Sequence, residues 1–362
     1  MPARIAINGF GRIGRAAFRI ILDKNLADIV VVNDLTNARI LAHLLKYDTA
    51  YGIYPSEVSV EEDGKVVEIE GSSRMEQHFV AEAPKEAYII VNGKKTRVIS
   101  EKEPSNLPWG AMEIDVVLEC TGRFTKNNAA KAHLDAGAKK VVVSAPTSGE
   151  QDDVMTFLKG VNHESYLGQN VISNASCTTN SIAPVMAVMD SKFKVLKAFM
   201  TTVHSITAEQ SIVDGPPPGL HPDLRRARAA GHNIIPTTTG AAKAVGHVLP
   251  ELKGKFDGIA LRVPTLVGSI SDMTFVVEKK TTVEEVNQAF LDAKEEAKYK
   301  GVLDASWEPL VSSDIVGSPY SSIVDLSMTH VIDGDFVKVL AWYDNEWGYA
   351  NRLVEMALLT VN

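Results

Sequence analysis

Only two cysteines, Cys120 and Cys177, occur in 362 residues, and neither has a metal-ligand or C-x-x-C spacing. A disulfide framework is excluded and no metal site is expected. A reducing compartment follows, in which a lone thiol is core filler or a nucleophile. Long apolar runs are missing as well. No stretch approaches the ~18 residues of a membrane span, and Met1-Pro2-Ala3-Arg4 breaks too early for a secretory apolar region, so a cytoplasmic protein without a membrane partner is expected. An excess of positive charge is also absent, with 37 Lys+Arg against 45 Asp+Glu giving −8. Affinity for a phosphate backbone comes from clustered Lys and Arg, so no dedicated nucleic-acid site is expected. The acidity is uneven. Residues 56–87 carry nine acids and three bases, a balance of −6, which leaves only −2 for the rest. The remaining body is nearly neutral, with Arg262 and the Arg225, Arg226, Arg228 cluster expected to be free to attract a small anionic ligand.

What is present is ordinary globular material, 45% hydrophobic and 23% charged, long enough for two or three domains. Arg4 to Ile7 is an apolar run ending in Gly9-Phe10-Gly11-Arg12-Ile13-Gly14, after which Ile13, Ala16, Ala17, Ile20 and Ile21 recur at helical spacing. With a second apolar run at Asp28 to Asn33, the opening reads as a right-handed βαβ unit. Further strands are expected at Asp115 to Leu118 and Lys140 to Ser144, with a helix from Lys126 to Ala136 that Gly137 closes. From about Tyr54 to Asn106 the alternation breaks. Asp63-Gly64 and Asn92-Gly93 signal hairpins, expected as an exposed, change-tolerant insertion at the sheet edge. Beyond Ser173 longer strands dominate, at Ala198 to Val203, Ile259 to Val263, Ser271 to Glu278, Ser322 to Ser327 and Phe336 to Trp342. Thr282-x-x-Glu285 is a capping box for a helix over Val283 to Lys298. Pro216-Pro217-Pro218 lies in a long loop from Ala208 to Ala230. A parallel α/β domain followed by a mixed one is the pattern of a cofactor domain plus a substrate domain.

Three features carry chemistry. Gly9-x-Gly11-x-x-Gly14 follows a strand and opens a helix, and Asp34 stands 20 residues after the last glycine, the spacing of a ribose-binding carboxylate. The glycines allow the turn, the approach of a pyrophosphate and close helix packing. The Asp34 charge would repel a 2′-phosphate, which favours NAD over NADP. Second, Ser173-Asn174-Ala175-Ser176-Cys177-Thr178-Thr179-Asn180 places Cys177 at a helix start, where the dipole lowers a thiol's pKa; Cys120, in an apolar run, reads as core. Such a nucleophile wants a base, and His204, at the end of a strong strand run, is one of several candidates among nine histidines. Third, Arg262 sits in the apolar strand Ile259 to Pro264, where it needs an anion, either an internal carboxylate or a substrate phosphate. Thr237-Thr238-Thr239-Gly240 precedes a helix and offers a second place to hold an oxyanion.

These pieces occur in an order that resembles the phosphorylating glyceraldehyde-3-phosphate dehydrogenases over nearly the whole chain: INGFGRIGR at Ile7 to Arg15, LLKYD at Leu44 to Asp48, ASCTTN at Ala175 to Asn180, TTVHSIT at Thr201 to Thr207, DLRRARAA at Asp223 to Ala230, TTTGAAKAV at Thr237 to Val245, LRVPT at Leu261 to Thr265, and WYDNEWGYANR at Trp342 to Arg352. The resemblance implies a cytoplasmic homotetramer of glycolysis and gluconeogenesis. It implies an α/β chain with a Rossmann-type NAD-binding domain over residues 1–175, completed by a C-terminal helix at 345–362, and an α+β catalytic domain over 176–344 with a mixed, largely antiparallel sheet. Cys177 would attack the aldehyde of glyceraldehyde 3-phosphate, and His204 would take the thiol and hydroxyl protons and stabilise the oxygen charge as the imidazolium. Oxidation by NAD would leave a thioester that inorganic phosphate cuts to 1,3-bisphosphoglycerate. One anion site would use Thr207 and Arg262 with Glu209 beside them; the other would use Ser176, Thr178, Thr239 and Gly240. NAD would be held by Gly9, Gly11, Arg12, Ile13, Gly14, Asp34, Lys102, Thr121 and Ser144, with Asn345 and Tyr349 at the nicotinamide.

Three departures stand out. Glu209 replaces a threonine or aspartate, Ser181 replaces a frequent second cysteine, and the loop Gly215 to Pro222 is longer by a residue or two; it resembles the loop that covers a neighbour's NAD in the family tetramer. An erythrose-4-phosphate dehydrogenase would share nearly all these motifs. A non-catalytic binding protein on the same scaffold would have no need of an activated cysteine.

Overall fold

The computed structural model describes residues 1–69, 84–149, 154–216 and 222–361. Part of the acidic segment 56–87, and Pro217 and Pro218 with most of the loop Gly215 to Pro222, lie outside the described residues. Two compact units are formed, one from residues 1–155, 167–174 and 353–362, the other from 156–166 and 175–352.

In the first unit, β1 (Arg4–Asn8), α1 (Arg12–Asp23) and β2 (Asp28–Asn33) make the expected parallel βαβ unit. Helix α2 (Ala38–Lys46) follows, then β3 (Val58–Glu62), β4 (Lys65–Glu68), β5 (Ala87–Val91), β6 (Lys94–Ile99), β7 (Val116–Glu119), β8 (Lys140–Val143) and β9 (Val171–Ser173). Their order in the sheet is β9-β8-β7-β1-β2-β6-β5-β3-β4. The first six run parallel and the rest antiparallel. Apolar β-branched runs supply the central strands because both of their faces are covered. The hairpins lie at the sheet edge as expected, but they are not simply exposed, since Val58, Val60, Ile89 and Val91 are buried. Both hairpin turns put an Asn or Asp and then a Gly at positive φ, which matches strand twist. The helix expected from Lys126 is shorter. Asn127 and Asn128 take positive φ, and only residues 129–135 are helical before Gly137, at φ +99, closes the turn.

The second unit holds α3 (Cys177–Phe193), β10 (Val195–Ser205), β11 (Ile235–Thr238), α4 (Ala241–Val248), β12 (Phe256–Val263), β13 (Ser269–Val277), α5 (Val283–Ala293), β14 (Leu303–Ser306), β15 (Ser322–Ile332) and β16 (Phe336–Tyr343). The sheet order is β11-β12-β10-β13-β16-β15-β14, antiparallel except for the β10/β12 and β14/β15 pairs. The capping box of Thr282 and Glu285 is present, but α5 stops at Ala293, short of the expected Lys298. One face of this sheet is buried under α3, α4 and α5 in a core that includes Met186, Met189, Val245, Phe275 and Phe290. Register puts Phe199, Ile259 and Phe336 on the opposite face, where they stay exposed. Helix α6 (Trp347–Val361) closes the described chain.

Candidate active site

The position of Cys177, the nucleophile expected from the sequence, follows from local chain chemistry. Ser176 is the N-cap of α3, its Oγ accepting from the Thr179 N–H, so Cys177 opens the helix. Ala175, at φ +53, turns the chain just before it, and the Tyr349 hydroxyl donates to the Ala175 carbonyl. His204 stands near the C-terminal end of β10. Its Nδ1 lies 2.7 Å from the Ser205 carbonyl, an oxygen that can only accept, so Nδ1 carries the proton. The Nε2 lone pair then faces the Cys177 Sγ at 3.4 Å. Tyr343 packs edge-on to this imidazole, and its hydroxyl bridges Thr178 at 3.1 Å and Thr202 at 2.8 Å. Burial pushes the Cys177 thiol up to about 11, against the pull of Arg262 and Thr178. Burial, helped by Arg262, holds the His204 imidazole down to about 3. The expected lowering of the thiol by the helix terminus is thus outweighed. Both shifts favour an uncharged thiol and imidazole at rest, with the proton held on sulfur.

Parallel pairing of β10 with β12 sets His204 directly beside Arg262. The Arg262 guanidinium donates to Thr207 Oγ1 at 2.6 Å and to the Ser205 carbonyl at 3.2 Å. Its ion-pair partner is Glu209 at 3.4 Å, and Glu209 also binds Arg226 at 2.6 Å. The arginine cluster expected to be free is therefore paired: Arg225 with Asp223, Arg226 with Glu209 and Arg228 with Asp214. The acids come from the same loop between β10 and β11, which folds back on itself: Asp223 is two residues from Arg225, while Glu209 and Asp214 are brought from its start. Of the second expected anion site, Thr239 accepts from the Ala241 N–H while Gly240 caps α4, and the hydroxyls of Ser176 and Thr178 are engaged as described.

In the first unit, the C-terminal ends of β1, β2 and β7 border a cavity of ≈ 310 Å³ lined by Gly9, Gly11, Asp34, Lys102 and Thr121 among others. Such a crevice beside the strand order's reversal point is where this sheet type takes a nucleotide. Gly9 turns at φ +92, and a Cβ on Gly11 would meet open space, so a pyrophosphate could approach the backbone there. The Asp34 carboxylate accepts from the Phe10 N–H at 2.8 Å, tying the glycine loop to β2. The residues present thus suit a dinucleotide. Arg12, Ile13, Gly14 and Ser144 do not line the cavity. Arg12 pairs with Asp48 at 2.5 Å, and Gly14 packs against the Gly9 carbonyl. In the second unit, Asn345 accepts through Oδ1 from the Gly268 N–H and the Ser269 hydroxyl, which leaves its amide N–H groups to donate.

Several residues beside these were missed. Cys120 is not core: it is half-buried and lines the cavity. Beneath it, Glu119 Oε2 accepts from Asn8 at 2.6 Å and from His133 at 2.8 Å, Trp109 donates to the other His133 nitrogen, and Glu119 Oε1 accepts from the Thr121 N–H. This fully buried network holds Thr121 at the cavity wall. No sequence spacing announces it. Tyr343 is likewise visible only once strands pair.

Comparison with known proteins finds a single family along most of the chain. Residues 176–345 match the family model described as glyceraldehyde 3-phosphate dehydrogenase, C-terminal domain, and residues 3–77 and 71–127 match its NAD binding domain. The chain is 50% identical over 356 residues to glyceraldehyde-3-phosphate dehydrogenase 1 of Bacillus cereus, covering 98% of this chain and 97% of that one. It is 50% identical over 359 residues to the Geobacillus stearothermophilus enzyme of that name, covering 99% and 98%. With the Streptomyces coelicolor one it shares 47% over 365 residues, covering 100% and 99%.

Proposed function

This chain belongs to the glyceraldehyde 3-phosphate dehydrogenase family, and we propose that Cys177 and His204 are the nucleophile and base with which it oxidises glyceraldehyde 3-phosphate, using NAD, to 1,3-bisphosphoglycerate. The observation that carries the assignment of roles is the 3.4 Å contact between sulfur and a ring nitrogen whose partner nitrogen is fixed as the donor to Ser205. Cys177 adds to the aldehyde carbon as its proton crosses to His204 Nε2. The imidazolium so formed stands ready to donate to the developing oxyanion. His204 then takes the hemithioacetal hydroxyl proton, and bound NAD supplies the hydride acceptor. Inorganic phosphate attacks the resulting thioester and expels the Cys177 thiolate, which recovers its proton through His204.

Arg262 and Thr207 would bind the substrate phosphate, and Ser176, Thr178, Thr239 and Gly240 the attacking phosphate. The cavity walls at Gly9, Gly11, Asp34, Lys102 and Thr121 would hold the dinucleotide, and Asn345 would offer its amide N–H groups to the nicotinamide carboxamide. The first unit is thus the cofactor unit and the second the catalytic one. A homotetramer is part of the proposal, supported by the exposed apolar residues Phe199, Ile259 and Phe336 on one sheet face. A cytoplasmic location is proposed too; among the described residues no helix is long and apolar enough to cross a membrane.

The test is NADH formation from glyceraldehyde 3-phosphate with and without inorganic phosphate, before and after iodoacetamide. Phosphate-dependent turnover abolished by alkylation of Cys177 is expected. Turnover that ignores phosphate, or survives complete alkylation, would overturn the proposal, and phosphate-independent oxidation of erythrose 4-phosphate would move the assignment to that neighbouring activity.

A further inference from the structure

One carboxylate oxygen, Oε1 of Glu209, faces two guanidinium groups at once, Arg226 at 2.6 Å and Arg262 at 3.4 Å. Neither arginine depends on Glu209 for its position. Arg226 Nε donates to Thr237 Oγ1 at 3.2 Å, and Arg262 is held by Thr207 Oγ1 and the Ser205 carbonyl. The guanidinium side chains are nearly buried, 10% and 11% exposed, whereas the Glu209 side chain is 38% exposed. The acid is therefore the outermost and most easily moved member of the trio. Arg262 also keeps a buried Nε–H with no partner in the structure, a donor still to be satisfied. Burial would raise the Glu209 carboxyl, but Arg262, Thr207 and Arg226 together hold it below its usual range, so it is ionised at neutral pH.

Charge decides what this arrangement does to a phosphate. Two guanidinium groups and one carboxylate sum to a single positive charge. A phosphate dianion that arrives while the carboxylate stays leaves the buried pocket with net negative charge. If the carboxylate swings out to solvent, the dianion is neutralised by the two arginines, each a fork suited to paired oxygens. We propose that Glu209 is a displaceable latch on the substrate-phosphate pocket: its carboxylate covers the Arg226 and Arg262 pair and must leave for a phosphorylated aldehyde to bind. This rests on the functional reading above, and it gives Glu209 a role opposed to phosphate binding rather than a share in it. Because the latch acts only where a phosphate lands, it lowers affinity for phosphorylated aldehydes selectively and leaves the chemistry at Cys177 to other groups.

The experiment compares the intact enzyme with Glu209→Gln and Glu209→Ala on two aldehydes, glyceraldehyde 3-phosphate and glyceraldehyde. The ratio of their kcat/KM values is expected to rise about 3- to 5-fold in both variants, the change that follows from removing one partly exposed ion pair. Most of it should appear as a lower KM for the phosphorylated aldehyde. A ratio that falls would show that Glu209 positions the arginines, and an unchanged ratio would put the carboxylate outside the phosphate's path; either overturns the latch. Calorimetric titration with inorganic phosphate gives a second reading that needs no turnover: binding should tighten by a similar factor in Glu209→Gln, and weaker or equal binding would overturn the latch. Wild-type protein that oxidises neither aldehyde would instead count against the functional reading, and the titration would still decide the latch.

Discussion

Gly11 and Gly14 stand three residues apart in one motif, yet the structure assigns them different physical jobs, and alanine at each should separate binding from folding. An ideal Cβ on Gly14 would lie 2.2 Å from the Gly9 carbonyl oxygen, with Ile7 next at 3.2 Å. That is roughly 1.3 Å inside the ~3.5 Å of favourable contact. The clashing atom is backbone, so α1 itself has to move, and with it the buried Ala16, Ala17, Phe18, Ile20 and Ile21. Overpacking of this kind costs about 1–3 kcal/mol, offset in part by the up to ~1 kcal/mol that alanine gains over glycine within a helix. Gly14→Ala should therefore lose about 1–2 kcal/mol of stability and also weaken NAD binding, because the shifted helix no longer presents its first N–H groups correctly. A Cβ on Gly11 meets nothing within 4 Å. Gly11→Ala should fold with a melting temperature within a few degrees of the wild type, losing only the roughly 0.5–1 kcal/mol by which alanine is poorer than glycine as an N-cap. Its methyl group nevertheless points into the space the pyrophosphate needs, so NAD affinity should fall tenfold or more, about 1.4 kcal/mol. Thermal unfolding and calorimetric NAD titration on the two variants supply both axes. Equal destabilisation by the two alanines, or undiminished NAD binding by Gly11→Ala, would refute the division of labour.

Other expectations can be checked as directly. His204→Asn removes the proposed base and should lower kcat by about 10²–10⁴ with a smaller effect on aldehyde KM; steady-state kinetics showing activity within a few fold of wild type would remove His204 from the mechanism. Asp34→Ala deletes a carboxylate that repels a 2′-phosphate and should relax the preference for NAD over NADP, and an unchanged ratio of kcat/KM values would show that the surrounding loop sets it. For Asp48, burial raises the carboxyl, but Arg12 and the backbone N–H groups of Tyr51 and Ala50 prevail and hold it below its usual range. A depressed folded pKa adds stability that is full above the unfolded value of ~3.9 and disappears as pH falls through the folded one. Denaturation curves should thus show Asp48→Asn less stable than wild type at pH 7 and the gap closing toward pH 3; a gap independent of pH would mean the carboxylate's charge plays no part.

The parts of this protein legible in its sequence are those fixed by neighbours along the chain. Asp28 to Asn33 is a strand because an apolar β-branched run leaves it no other way to bury both faces, and the Thr282 and Glu285 box forms because its partners are three residues apart. Errors of extent arose where one residue's local preference overrode composition. Asn127 and Asn128 adopt left-handed backbone and delay a helix whose residues otherwise suit it. The edge hairpins misled for another reason: turn signals place Asp63-Gly64 and Asn92-Gly93 correctly but say nothing of which face of Val58, Val60 and Ile89 is covered.

The proposed catalytic pair marks the boundary between the two kinds of information. Cys177 could be singled out, since a helix start flanked by hydroxyls is a local pattern; His204 could not be preferred over eight other histidines by spacing alone. What selects it is a parallel strand pairing that sets it against Arg262, 58 positions away, and a carbonyl one residue on that fixes its tautomer. The same pairing explains why Arg262 could be read either as part of an internal ion pair or as a phosphate ligand. The structure makes it the first, through Glu209, without closing the second. An arginine buried in an apolar strand needs an anion at all times, so a chain that binds a transient phosphate there has reason to carry a carboxylate able to fill in between turnovers. The two readings of Arg262 are then successive states of one site, and Glu209 is the residue on which that claim stands or falls.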